Sequence, residues 1–287
     1  MPELPEVETV RAGLAAHITH AEVTSVTVYE SRLLRTHSAG VRDFEKRLRN
    51  RTIACVSRRG KFLWMPLDDG DEALVVHLGM SGQALLVSPQ AQDEKHLRIR
   101  LRLNRPDIEL RYVDQRMFGG MRIDDLVQVE WGQRVPASIT HIAQDVLDPD
   151  LDEASVISPT RKRTAGIKQV LLNQEVVSGI GNIYADEALW RSRIHYLTPA
   201  HRLSRQRITQ LLADVRDVMQ AALQAGGTSF DDLYVGVNGE SGWFDLSLNA
   251  YGQEGLPCAR CGRPIVRENW SNRSSYRCPR CQPRPRG

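Results

Sequence analysis

No run of apolar residues in this chain approaches the roughly 20 needed to span a bilayer, which excludes a membrane-spanning helix. The N-terminus also lacks the basic-then-apolar pattern of a signal peptide, so a cytoplasmic protein is expected. There is no internal repeat and no low-complexity segment. Cysteine is nearly absent before residue 258: Cys55 stands alone there, and the other four fall between Cys258 and Cys281. In a cytosolic protein such a local cluster points to metal rather than to disulfides. Cys55, inside the strand-like run Thr52-Ile53-Ala54-Cys55-Val56, reads as a core residue. Acid is scarce in the cysteine-rich segment. From Cys258 to Gly287 there are eight arginines and one acid, Glu268, although the whole chain holds 38 Lys+Arg against 35 Asp+Glu. The body is therefore slightly acidic and the positive charge sits at the C-terminus. A compact Arg-rich module fits a phosphate-backbone contact, although by composition alone it also fits a solvated tail.

What is present is a globular composition, 41% hydrophobic and 25% charged over 287 residues, enough for about two domains. Val7, Val10, Leu14 and Ile18 recur at helical spacing, with Pro5 in a first turn where its missing N–H costs little. The stretch to about residue 125 then reads as β. Leu97, Ile99, Leu101 and Leu103 alternate with Arg98, Arg100 and Arg102, and Ile108, Leu110 and Tyr112 repeat the pattern after a turn. Phe62–Leu67, Ala73–Leu78 and Gln83–Val87 are short apolar runs between Gly, Asp and Ser, the spacing of a sandwich or barrel. Residues 128–160 hold three prolines and little sustained pattern, and read as a linker and domain entry. Helices are expected over Ile167–Asn173, Asn182–Arg191 and Leu203–Ala225, the last with an apolar face running from Ile208 to Leu223 and an end at Gly226-Gly227. A glycine-rich stretch, Tyr234–Trp243, leads into the cysteine module.

Chemistry concentrates in a few places. Removal of Met1 would leave Pro2 with a free secondary amine, whose α-amino pKa of roughly 7.7–8.0 makes it a nucleophile near neutral pH. Condensed with an aldehydic carbon it forms an iminium ion, an electron sink for elimination. Glu3, one residue on, can move a proton to or from a sugar. The helix N-terminus behind them favours the unprotonated amine. Taken alone, Pro2 and Pro5 equally fit a stiffened chain start. Cys258-x2-Cys261-x16-Cys278-x2-Cys281 puts two thiolate pairs on two tight turns, a closed tetrahedral Zn2+ site with no position left for catalysis. Its intervening residues, Arg263–Val266 and Ser274–Arg277, make a hairpin with Arg273 at or near the tip. Lys61, after Arg58-Arg59-Gly60, either holds a phosphate or is a surface lysine. Met80 in Leu78-Gly79-Met80-Ser81-Gly82 and Phe118 in Arg116-Met117-Phe118-Gly119-Gly120 are either core residues or wedges for a base stack. Ser178-Gly179-Ile180-Gly181-Asn182 lies between helices, where Asn182 can N-cap the second and its N–H groups can face an anion.

With these residues in view the chain resembles the bacterial formamidopyrimidine-DNA glycosylase family essentially end to end. The resemblance rests on Pro2-Glu3-Leu4-Pro5-Glu6, Arg58-Arg59-Gly60-Lys61, His77-Leu78-Gly79-Met80-Ser81-Gly82, Asp114-Gln115-Arg116-Met117-Phe118-Gly119, Gly179-Ile180-Gly181-Asn182-Ile183-Tyr184-Ala185, Gly226-Gly227-Thr228 and the four cysteines. It implies an α+β multidomain fold: an N-terminal β-sandwich with flanking helices over 1–130, a helix–two-turn–helix domain over 131–248 and a four-cysteine zinc-finger β-hairpin over 249–287. It further implies a monomer that acts on damaged double-stranded DNA, needs no soluble cofactor and holds one structural zinc. The activity implied is excision of oxidised purines through an N-terminal proline Schiff base, followed by β,δ-elimination. By resemblance, Pro2 is the nucleophile, Glu3 the acid, and Lys61 and Arg273 clamp phosphates. His96, Arg116, Arg163 and Asn182 touch the DNA backbone or the space opposite the lesion. Met80, Arg116 and Phe118 fill the gap left by the extruded base, and residues from about Ser229 to Phe244 close over it. The family often has a second arginine where Met117 stands, proline where Gln115 stands, and lysine in some members where Arg163 stands. Two alternatives remain. The endonuclease VIII branch uses the same amine on oxidised pyrimidines but typically carries glycine at the position of Leu4 and lacks the Arg-x-Phe wedge. A catalytically silent damage sensor would keep the finger and Asn182 and have no need of Pro2-Glu3.

Overall fold

In the computed structural model the described residues are 2–68, 70–129, 132–226, 237–238 and 248–285. They form two compact units: Met1–His141 with Ala225–Trp243, and Ile142–Gln224 with Phe244–Gly287. The break thus falls between His141 and Ile142, and the cysteine segment belongs to the second unit. Among the described residues no helix is long and apolar enough to cross a membrane.

The first unit opens with helix α1 (Leu4–Ile18), which buries Leu4, Val7, Val10, Leu14 and Ile18 along one stripe and carries Pro5 in its first turn. A second helix, α2 (Gly40–Leu48), interrupts the stretch that reads as β and buries Phe44 and Leu48. Ten strands follow α1: β1 (Glu22–Val28), β2 (Arg51–Thr52), β3 (Ser57–Arg59), β4 (Phe62–Pro66), β5 (Glu72–His77), β6 (Gly82–Val87), β7 (Leu97–Leu103), β8 (Glu109–Asp114), β9 (Gly120–Gln128) and β10 (Arg134–Pro136). They make two five-stranded sheets, ordered β2-β1-β7-β8-β6 and β10-β9-β5-β4-β3, with every pairing antiparallel. Side chains from both sheets and from α1 share one apolar core, for example Val10 and Leu14, Ile99 and Leu110, and Leu74 and Ile123. This is the expected sandwich. In β7 the alternation holds, with Leu97, Ile99, Leu101 and Leu103 buried and the arginines between them outside. In β8 both faces are buried. The loop before β7 covers the second face, where Arg111 pairs with Glu109 at 2.6 Å and donates to the carbonyls of Ala91 and Gln92.

Cys55 is not a core residue but exposed. The strand-like run breaks after Thr52, so Ile53 and Val56 turn inward while Cys55 faces out. The linker reading of residues 128–160 is also too plain. This stretch contains β10 and a helix α3 (Glu153–Arg161), which Asp152 caps by accepting the Ala154 N–H at 2.9 Å and which carries Pro159 inside.

In the second unit α3 is followed by α4 (Ile167–Leu171), α5 (Asn182–Arg191) and α6 (Arg205–Gln224). The apolar face of α6 packs against α5 and α3. A hairpin of β11 (Val266–Trp270) and β12 (Arg273–Arg277) closes through Ser271 and Asn272, both with positive φ, as a tight two-residue turn needs.

Candidate active site and nucleic-acid interface

Pro2 and Glu3 are buried at the head of α1, Glu3 only 3% exposed. Glu3 is the N-cap residue and forms a capping box with Glu6, whose carboxylate accepts the Glu3 N–H at 2.8 Å. The box holds the start of the chain in place. Helix α1 packs against β3 and β4, and Arg58 on β3 donates to Glu8 at 2.8 Å. Lys61 occupies the turn joining those two strands and is 8% exposed, so it is not an ordinary surface lysine. Its charge reaches His77 at the end of β5. Burial, together with Lys61, Arg35 and Arg122, lowers the His77 pKa to about 4. The ring accepts the Gly79 N–H on Nδ1 at 3.1 Å, so the neutral form carries its proton on Nε2.

Two turns project from the same unit. Met80 lies in the β5–β6 turn and is half-buried. Phe118 lies in the β8–β9 turn and is 50% exposed, with the Arg116 guanidinium 5.5 Å from its ring centroid. Phe118 is therefore not a core residue. Met117, between them, takes φ 54° and turns its side chain against the core, which accounts for an apolar residue at that position. His96 is half-buried ahead of β7, with Nδ1 3.2 Å from an Arg98 Nη.

The second unit gathers the other candidates. Arg163 and Arg273 line one cavity of about 360 Å3 together with Asn173 and Trp270. Asn182 does not N-cap α5. Gly181 does, and the Asn182 side-chain amide instead donates to the Ser274 carbonyl on β12 at 2.9 Å. The next turn of α5 holds the hairpin more firmly. Asp186 accepts from Lys168 at 2.6 Å, from the Ser275 hydroxyl at 2.9 Å and from the Tyr276 N–H at 2.9 Å. Glu187 accepts the N–H groups of Asn249, Ala250 and Tyr251. Beyond them the Trp190 indole N–H donates to Cys258 Sγ at 3.4 Å.

The four cysteine sulfurs lie within 4.8 Å of one another. Sulfurs bound tetrahedrally at about 2.3 Å from one Zn2+ stand about 3.8 Å apart, so the set fits that ion. Burial alone would raise the Cys258 thiol, but the N–H groups of Arg260, Trp190 and Cys261 turned toward it bring its pKa down to about 6, whereas burial pushes the Cys278 and Cys281 thiols up, so the cation's own charge is what would hold all four as thiolates.

Known proteins resemble this arrangement along its whole length. Residues 1–121 match the formamidopyrimidine-DNA glycosylase N-terminal domain, residues 142–233 the formamidopyrimidine-DNA glycosylase H2TH domain, and residues 255–284 the zinc finger found in FPG and IleRS. The formamidopyrimidine-DNA glycosylase of Streptomyces avermitilis is 53% identical over all of this chain and 99% of its own. That of Streptomyces coelicolor is 54% identical with the same coverage. This chain belongs to the formamidopyrimidine-DNA glycosylase family. Among solved structures, a Lactococcus lactis Fpg variant complexed with Fapy-dG-containing DNA matches with TM-score 0.86 and 32% identity over 99% of this chain and 100% of that one. A MutM complexed with DNA containing carbocyclic 8-oxo-G matches with TM-score 0.84 and 31% identity over the same shares. The helical region is thus the H2TH domain of the formamidopyrimidine-DNA glycosylase family, and the four cysteines are the ligand set of one structural zinc.

The loop expected from about Ser229 to Phe244 lies outside the described residues except for Val237 and Asn238. Val237 packs into the first unit, where its carbonyl accepts the Leu86 N–H at 2.8 Å. Sequence reasoning assigned no role to Asp186, Glu187 or Asp114, although all three lie in or beside the motifs that carry the family resemblance. It passed over Arg35, which belongs to no motif.

Proposed function

We propose that this chain is a bifunctional DNA glycosylase/AP lyase of base excision repair that excises oxidised purines, formamidopyrimidines and 8-oxoguanine, from duplex DNA. The observation that carries the reading is Pro2-Glu3 buried at the capped head of α1 in a chain of this family. The damaged base is turned out of the stack at a cost of a few kcal/mol, and Met80, Arg116 and Phe118 enter the space it leaves. The Pro2 nitrogen attacks C1′ as the base departs, while Glu3 gives a proton to the sugar oxygen and the ring opens. The resulting iminium acidifies the adjacent carbon, so the 3′ phosphate leaves first and the 5′ phosphate second, and a one-nucleotide gap remains. Lys61 and Arg273 hold the phosphates through both eliminations. His96, Arg163 and Asn182 contact the DNA backbone. Zinc supplies the fold of the finger and takes no part in the chemistry. The protein acts as a cytoplasmic monomer, with the finger from about residue 249 a module within the second unit.

Borohydride reduction during incubation with an 8-oxoguanine:C duplex tests this reading. The expected result is a covalent protein–DNA adduct, reduced but not abolished in Pro2→Gly, which keeps a primary amine, and absent when amines are blocked. Intact mass read alongside establishes that Met1 has been removed. A processed, zinc-loaded preparation that forms no adduct would mean a damage sensor, and faster cleavage of thymine glycol:A would mean the pyrimidine branch.

A further inference from the structure

The exposed tip formed by Arg116 and Phe118 is gripped from two sides by charges of opposite sign. On one side is Asp114, fully buried at the end of β8. Its Oδ1 accepts the N–H groups of Arg116 at 3.1 Å and Met117 at 3.0 Å, and its Oδ2 accepts that of Gly119 at 2.9 Å. The Ser81 hydroxyl, from the turn that carries Met80, donates to the same carboxylate at 2.6 Å and accepts the Arg116 N–H at 3.0 Å. On the other side is Arg35, which follows a 3-10 turn at Ser31–Leu34. Its guanidinium donates to the carbonyls of Gly119 at 2.6 Å, Phe118 at 2.9 Å and Met117 at 3.5 Å. The carboxylate takes N–H groups of this turn and the guanidinium takes its carbonyls; the Phe118–Gly119 peptide is held at both ends, so both charges favour one orientation of that dipole. The two turns are also keyed backbone to backbone. A Cβ on Gly79, where φ is +63°, would stand 2.3 Å from the Gly119 nitrogen, and one on Gly119 would stand 2.7 Å from the His77 carbonyl oxygen and 3.0 Å from that of Leu78.

We propose that Arg35 and Asp114 are positioning residues, Asp114 clasping the Arg116–Gly119 turn to the Met80 turn through Ser81 and Arg35 fastening it to the Ser31–Leu34 turn, so that Phe118 enters the base stack on a rigid support. This rests on the reading of Phe118 as the wedge. A wedge pushes base pairs apart only if its own backbone does not yield, because unstacking has a free-energy cost that a loose turn would absorb as its own deformation. Sulfur and methylenes can fill the volume of Arg35 but cannot donate to three carbonyls at once. Lysine keeps the charge without the planar fork that spans adjacent acceptors.

The experiment compares wild type, Arg35→Met, Arg35→Lys, Phe118→Ala and the Arg35→Met/Phe118→Ala double variant. Single-turnover base excision is measured on an 8-oxoguanine:C duplex, and strand cleavage on the same duplex with a preformed abasic site. Loss of one or two charge-assisted hydrogen bonds predicts excision about tenfold slower in Arg35→Met, with Arg35→Lys in between. Abasic cleavage should stay within about twofold, and Arg35→Met should add little in the Phe118→Ala background, as expected for residues that act as one unit. In the free protein, amide exchange at 116–119 should rise about tenfold in Arg35→Met, the local opening that loss of the clasp predicts. Unchanged exchange overturns the clasp. Additive losses in the double variant, or an equal loss on abasic DNA, overturn it as well, because Arg35 then acts elsewhere, as a direct phosphate contact or on overall stability. Faster exchange with a silent Phe118→Ala overturns the wedge reading instead, and the clasp would then serve no step of the reaction.

Discussion

Glu3 closes the capping box of α1 and, on the proposed mechanism, gives the proton that opens the sugar, two duties in one side chain. Replacing it by glutamine separates them. The amide oxygen can still accept as a cap, whereas Glu3→Ala loses about 1 kcal/mol of helix-capping free energy. Glu3→Gln should therefore melt close to wild type and bind lesion DNA nearly as well, while excision falls about a hundredfold or more for want of a proton donor. A single-turnover assay beside a gel-shift titration checks this, and parallel loss of binding would make Glu3 structural. His77 gives a prediction with a definite sign. Its folded pKa is lowered to about 4 from 6.5, chiefly by burial and then by Lys61, Arg35 and Arg122. Between those values the unfolded chain binds a proton that the folded chain refuses. Its contribution to stability is thus complete above the unfolded pKa and is lost as pH falls through the window, at up to about 1.4 kcal/mol per pH unit. Urea melts from pH 7.5 to 4.5 should lose that much slope in His77→Gln relative to wild type. Pro2, Glu3 and Lys61 could be proposed from the sequence because the chemistry proposed for them lies in residue type and near neighbours. Asp114 and Arg35 could not, because their partners across the fold are main-chain groups that any sequence would supply.

Helix α5 was legible to the residue, Asn182–Arg191, since its glycine-rich approach and apolar periodicity agree. The helices α2 and α3 were missed. α2 lies inside the stretch read as β and buries only Phe44 and Leu48, and α3 is a nine-residue helix broken in pattern by Pro159. What periodicity could not show is that α5 is the post to which the metal hairpin is tied. Asp186 is 1% exposed and burial raises its pKa, yet Lys168, Tyr276 and Ser275 all favour its charged form. Asp186→Ala would leave the Lys168 ammonium, itself fully buried, without its carboxylate partner. Breaking a buried pair from one side costs about 3–5 kcal/mol, whereas replacing both partners with groups of similar shape is often nearly neutral. Asp186→Asn/Lys168→Met should therefore be more stable than Asp186→Ala by a margin that urea denaturation resolves. If the two variants melt alike, the pair is not what ties β12 to α5.

Zinc, on this account, does more for the molecule than fold a finger. The ion closes a hairpin whose Ser275 hydroxyl and Tyr276 N–H donate to the buried Asp186, and the segment that leads into it, residues 249–251, gives its N–H groups to the buried Glu187. Structural zinc contributes on the order of 10 kcal/mol to a finger's folding, so its removal should release the hairpin and strip both carboxylates of their partners at once. Buried carboxylates without donors are costly, and the loss should pass into α5 and the second unit. The first unit has its own apolar core of two sheets and α1 and uses none of these contacts. Chelation should thus raise amide exchange across Asn182–Arg191 and Val266–Arg277 while leaving β7 and β8 protected, and DNA affinity should fall with the hairpin. Stoichiometric zinc should restore both. Protection of α5 that survives chelation would show that the helix stands without the finger, and the coupling of metal to the DNA-binding unit through Asp186 and Glu187 would be wrong.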